Sequence, residues 1–146
     1  MRRDIHVEAF YPHPIELVWE ALTDSDALAE WLMPNDFVPK LGHKFQFRTK
    51  PAPGFDGIVD CKVIEIVKGK RLSFTWKGGP LDTLVTFNLE PLSNGTRLKL
   101  EQKGFEGIRA VLVSFILGKG WKKKILPLSL PSVLDRLAAR QAARSV

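Results

Sequence analysis

The chain has 146 residues, of which 45% are hydrophobic and 26% charged, a balance that fits a globular protein with one core, and the sequence has no low-complexity segment and no repeat of solenoid period. A single cysteine, Cys61, excludes an intramolecular disulfide, a thiolate zinc site and a CxxC redox pair. The formal net charge of +6 leaves two readings, a polyanionic partner or a protein that is merely basic on its solvated faces, and the scatter of Lys and Arg along the chain favours the second.

In chain order, Ile5, Val7 and Ala9 alternate with His6, Glu8 and Phe10, which predicts a strand covered on one side and ended by Pro12 and Pro14. No apolar leader precedes it, and together with the lone cysteine this points to a cytoplasmic protein. Pro14 suits the first turn of a helix, and Leu17, Val18, Ala21 and Leu22 form its apolar stripe. Thr23 with Asp26 reads as a capping box for a second short helix that carries Leu28, Trp31 and Leu32. Both helices are too short to stand alone, so their Trp and Leu faces must pack on something larger.

The larger element follows as repeated two-residue alternation. Phe45 and Phe47 come first, then Val59, Cys61 and Val63 after the turn Pro51-Ala52-Pro53-Gly54. Leu72, Phe74 and Trp76, then Val85, Phe87 and Leu89, then Leu98 and Leu100 after Ser93-Asn94-Gly95 complete an antiparallel meander with one dry face. From about Ile108 the chain is helical in character, weakened by Gly118 and Gly120, with Pro127 and Pro131 expected to kink or break it. The apolar run 108–117 is interrupted by Arg109 and is about half the length needed to cross a bilayer, so no transmembrane segment is expected. The last piece places Val133 and Leu137 on one face and Arg136, Arg140 and Arg144 on another, a basic row expected to be solvated. The whole, 1–146, reads as one α+β domain: a curved antiparallel sheet of about six strands wrapped on a long, Pro-kinked C-terminal helix.

Several motifs make the chain similar to a known family. Pro14-Ile15-Glu16-Leu17-Val18-Trp19, Leu22-Thr23-Asp24 and Leu28-Ala29-Glu30-Trp31 resemble the N-terminal signature of START-like, helix-grip (SRPBCC) domains. Arg71-Leu72-Ser73-Phe74-Thr75-Trp76, Gly95-Thr96-Arg97-Leu98, Gly104-Phe105 and Gly120-Trp121 follow in family order, and the branch they most resemble is the homologues of the heat-shock-protein-90 ATPase activator. The resemblance implies a deep, mostly apolar cavity between sheet and long helix. Two departures stand out: Gln102 occupies a position where relatives often carry His, and 125–131 lies as an insertion before the final helix.

Catalytic groups are not expected. Cys61, flanked by Val59 and Val63, has no basic neighbour in sequence to activate it and reads as a small core residue. His6, His13 and His43 lack metal-ligand spacing, so no metal or cofactor is expected. Asp60 and Glu65 read as structural rather than as an acid/base pair. What the sequence offers instead is inward aromatic surface, and the candidate ligand-binding residues are Trp31, Phe47, Cys61, Trp76, Phe87, Leu100, Gln102, Phe115 and Trp121. The expected partner is a small apolar or aromatic ligand, not nucleic acid. Two alternatives stay open: an interaction module, as a homodimer, a chaperone partner or a peripheral membrane protein, acting through the apolar run 108–117 and the lysines of 119–124, and a cyclase or hydrolase that uses the cavity.

Overall fold

Residues 1–144 are described by a computed structural model, so the last two residues of the predicted 1–146 unit lie outside the described residues. Six strands, β1 (Arg2–Tyr11), β2 (Lys44–Arg48), β3 (Ile58–Val67), β4 (Arg71–Gly78), β5 (Leu81–Leu92) and β6 (Gly95–Glu106), form one antiparallel sheet in the order β1-β6-β5-β4-β3-β2. Helices α1 (Ile15–Thr23) and α2 (Ser25–Trp31) follow β1, and α3 (Ile108–Gly120) follows β6. A π-helical segment, Trp121–Ser129, then leads into α4 (Leu130–Arg144). This is the curved α+β helix-grip arrangement expected from the strand pattern.

The two-residue alternation holds wherever one face is dry. Leu72, Phe74 and Trp76 of β4, Val85, Phe87 and Leu89 of β5, and Leu98 and Leu100 of β6 are all buried on the same side. In the cross-strand register Leu98 stands between Leu89 and Ala9, and Phe87 between Leu72 and Leu100, which stacks apolar side chains across the sheet. The alternation slips once in β6, where Gln102 and Phe105 are buried three residues apart. The register against β1 moves there from Ile5↔Gln102 to Arg3↔Phe105, so one extra β6 residue is bulged out around Gly104, whose φ is +102°. The Gly104 N–H freed by the bulge donates to Asp4 Oδ1 at 2.9 Å, and this bond holds the Asp4 carboxyl below its ordinary value.

The two short helices use their tryptophans as the sequence requires. Trp31 is buried, donates from Nε1 to the Ala21 carbonyl at 2.7 Å and meets Phe87 edge-on at 6.1 Å, so one ring ties α2 both to α1 and to the sheet. The cap between the helices is Asp24, not the expected Thr23: Asp24 Oδ2 accepts from Ala27 N at 3.0 Å, while Thr23 Oγ1 donates back to the Trp19 carbonyl.

The long C-terminal helix is present as expected. Of the two outcomes that Pro127 and Pro131 left open, kink or break, the break does not occur: the helical path runs on from Ile108 to Arg144 through a π-helical segment. The bonding widens locally, Leu130 N reaching the Ile125 carbonyl five residues back. The Leu126 carbonyl is then left facing Pro131, which has no N–H, and it accepts instead from the Tyr11 hydroxyl at 2.7 Å. A proline mismatch inside the helix is thus satisfied from β1.

Candidate functional site

The aromatic interior divides into a filled half and an open half. In the filled half Phe47, Phe74 and Phe87 are fully buried and interlock with Phe45, Trp31 and Trp121 at centroid separations of 5.3–6.2 Å. The polar groups here are spent on one another. Trp121 Nε1 donates to Gln102 Oε1 at 3.0 Å, Gln102 Nε2 donates to Thr83 Oγ1 at 3.0 Å, and Thr83 Oγ1 donates to the Trp76 carbonyl at 3.0 Å. This chain fastens the helix to β5 and β4 through a fully buried amide.

The open half is a cavity of about 570 Å³ beneath α3. Its helix wall is Arg109, Leu112, Val113, Ile116 and Leu117, and its sheet wall is Val59 of β3 with Trp76 and Gly78 of β4. The third wall is the loop 49–57, which contributes Thr49, Ala52, Pro53 and Phe55. That loop is folded back on itself by reciprocal backbone bonds between Ala52 and Phe55, both 2.9 Å, and by Thr49 N donating to the Gly57 carbonyl. Gly57 stands at φ +86°, and a Cβ there would lie 2.4 Å from the Thr49 carbonyl oxygen, so only glycine closes the loop in this shape. The closure sets Phe55 against Gly78 and Gly79, where the absent side chains make room for the ring.

The space exists because α3 approaches the sheet on one side only. Its buried residues are the small Ala110 and Ser114, which seat it near β1 and β6, with Arg3 Nη1 donating to Ser114 Oγ at 3.1 Å. Toward β3 and β4 nothing large fills the gap. The wall is apolar apart from Thr49 and Arg109. It carries no carboxylate, imidazole or thiol among the described residues.

The predicted ligand residues separate accordingly. Trp76 lines the cavity. Phe47 and Trp121 stand directly behind it, their rings 5.5 and 6.2 Å from that of Trp76. Trp31, Phe87, Leu100 and Gln102 lie in the filled half of the core. Cys61 is buried on β3 opposite Phe45, its thiol pushed up by burial, with the nearby Asp60 and Asp36 acting in the same direction. Phe115 is the correction: expected to face inward, it is 57% exposed, with the Arg3 guanidinium 4.1 Å above its ring. Ala110 and Ser114 already occupy the inward face of α3, and Phe115 projects from the other side.

Most of the cavity-lining residues absent from the sequence-based candidates belong to the loop and to the helix. A pattern search for inward strand residues has no means of finding Ala52, Pro53 and Phe55, although the two glycines flanking Phe55 signalled a tightly folded loop. Asp60 and Glu65, read from the sequence as structural, do not line the cavity. Asp60 accepts from Gln46 Nε2 on the solvent side and Glu65 pairs with Arg71.

The chain matches, over residues 12–125, the family described as activator of Hsp90 ATPase homolog 1-like protein. No curated protein matches it. Among solved structures, a protein of Mesorhizobium loti is 33% identical and superposes with a TM-score of 0.78, covering 94% of this chain and 98% of its own. A Bacillus halodurans protein is 28% identical with a TM-score of 0.76, covering 91% and 98%. DynU16, a protein of the dynemicin biosynthetic locus, shares the fold at 23% identity and a TM-score of 0.69, covering 94% of this chain and 48% of its own. With the family matched over most of the chain, and a full-length relative at one-third identity carrying the same sheet and helix, the chain belongs to the activator of Hsp90 ATPase homolog 1-like family of START-like domains.

Proposed function

We propose that this protein binds a small, largely apolar molecule in the cavity between α3, the loop 49–57 and the β3–β4 end of the sheet. The observation that carries the reading is the cavity itself, whose volume of about 570 Å³ falls in the range that holds one small ligand and whose wall is almost wholly apolar. Trp76 is the aromatic contact, backed by Phe47 and Trp121. The family fold is compatible with this use, and one structural neighbour comes from a natural-product biosynthetic locus. The test is saturable binding of the fluorescent apolar probe N-phenylnaphthylamine. One site per chain is expected, lost in Val113→Trp, which fills the cavity from the helix side while leaving the fold intact. Equal probe binding by that variant would overturn the reading.

A second reading rests on a different observation. Ile108, Leu112, Phe115 and Ile116 are exposed along one stripe of α3, and exposed Lys119, Lys122 and Lys123 continue that helix. An apolar stripe running into a basic end suits an anionic membrane surface. Co-sedimentation with vesicles containing phosphatidylserine, reduced by salt and by Phe115→Asp, supports this role; indifference to vesicles removes it.

A further inference from the structure

The cavity wall carries a single formal charge, and its position is informative. Arg109 projects from the first turn of α3 across the mouth toward the loop 49–57, where a Cβ on Gly54 would stand 2.6 Å from Nη2. Gly54, at φ +78°, therefore makes room for the guanidinium at the rim. Among the described residues no carboxylate pairs with Arg109. The acidic groups nearest to it in sequence and on the adjoining elements are engaged elsewhere. Glu106 faces Arg2 at 3.5 Å, Asp56 accepts from Ile58 N at 3.0 Å, and Asp82 pairs with Lys77 at 3.8 Å. The first turn of α3 contains no acidic residue.

Arg109 is exposed, and a guanidinium with no carboxylate partner at the rim of an apolar cavity has specific chemistry. It offers a planar fork of donors that matches the two oxygens of a carboxylate. A neutral apolar guest would leave those donors facing solvent and gain nothing from them. A guest with an apolar body and one carboxylate satisfies the body against Trp76, Val59 and Leu112 and the head at Arg109.

We propose that the cavity selects amphipathic carboxylic acids, with Arg109 holding the carboxylate at the mouth. The inference rests on the cavity reading above and adds the ligand class to it. The fold can pull such a molecule in body first, because Leu112 and Ile116 belong both to the wall and to the exposed stripe of α3.

The test compares matched pairs that differ only at the head: decanoic acid against decanol, and naphthoic acid against naphthylmethanol. Affinities are read by displacement of N-phenylnaphthylamine at neutral pH. At least one acid is expected to bind severalfold more tightly than its alcohol, the scale of an ion pair at an exposed rim. Arg109→Met is expected to bring acid and alcohol to equal affinity, and Arg109→Lys to retain part of the preference. Alcohols that bind as well as acids, or an acid preference that survives Arg109→Met, overturn the inference and leave the apolar cavity standing. Failure of the probe and of all four compounds to bind overturns the cavity reading and the inference together.

Discussion

Tyr11 shows how much one hydroxyl can settle. Its ring is buried and its O–H reaches the Leu126 carbonyl at 2.7 Å, the acceptor left without a helical partner by Pro131. Burial also raises the phenol's proton affinity, so the group stays a donor through the whole working pH range. Tyr11→Phe keeps the ring and orphans the carbonyl, which is expected to cost about 1–3 kcal/mol. Urea denaturation should show a lower midpoint with an unchanged slope; an unaltered midpoint would mean that water satisfies the carbonyl instead. Gln102 teaches the complementary lesson. The sequence marked it correctly as an inward polar residue, but a strand pattern says only which way a side chain points. Whether its amide meets a ligand or two buried partners depends on Trp121 and Thr83, which lie 19 residues away on either side.

At the scale of elements, strands were legible because each carries its own evidence: alternation such as Leu72-Phe74-Trp76 needs only one dry face to be meaningful. The C-terminal helix was less so. Local rules leave proline to kink or break a helix, and the compensation at Leu126 that keeps this one continuous comes from β1, more than a hundred residues earlier. The loop 49–57 was hardest, because its shape follows from glycine conformations and a backbone close approach rather than from a period. This shape is testable through Gly57→Ala. The new Cβ meets the Thr49 carbonyl oxygen at 2.4 Å in a backbone conformation unfavourable to alanine, a penalty on the order of 1–3 kcal/mol. Since the loop is one wall of the cavity and not of the main core, the strain should be relieved by opening the loop. The expected outcome is faster amide exchange confined to 49–57 and weakened probe binding, with β4–β6 exchange unchanged. Exchange that rises across the whole sheet would show that the loop is integral to the core.

The whole molecule is a sheet and a helix that fit closely at one end and stand apart at the other. At the close end the rings of α2, β2, β4, β5 and the π segment interlock around a satisfied polar chain, and at the open end the helix keeps its large side chains exposed. Counting inward aromatics therefore overstates the ligand surface, since most of those rings face one another. If the two ends are physically separate, stability and ligand binding should respond to different residues. Phe87→Ala removes a fully buried ring and is expected to cost about 3–5 kcal/mol. At temperatures below its lowered melting point it should still bind the apolar probe close to normally, because Phe87 does not line the cavity. Leu112→Ala trims an exposed side chain on the cavity wall, so its stability should stay within about 0.5 kcal/mol of wild type. Its probe affinity should fall severalfold through lost apolar contact. Melting curves and probe titrations on the two variants decide the matter. Opposite responses mean that the open end has been left free of structural duty and is available to a ligand; a parallel loss in both variants means that the space beneath α3 is part of the core and that its emptiness is a packing defect.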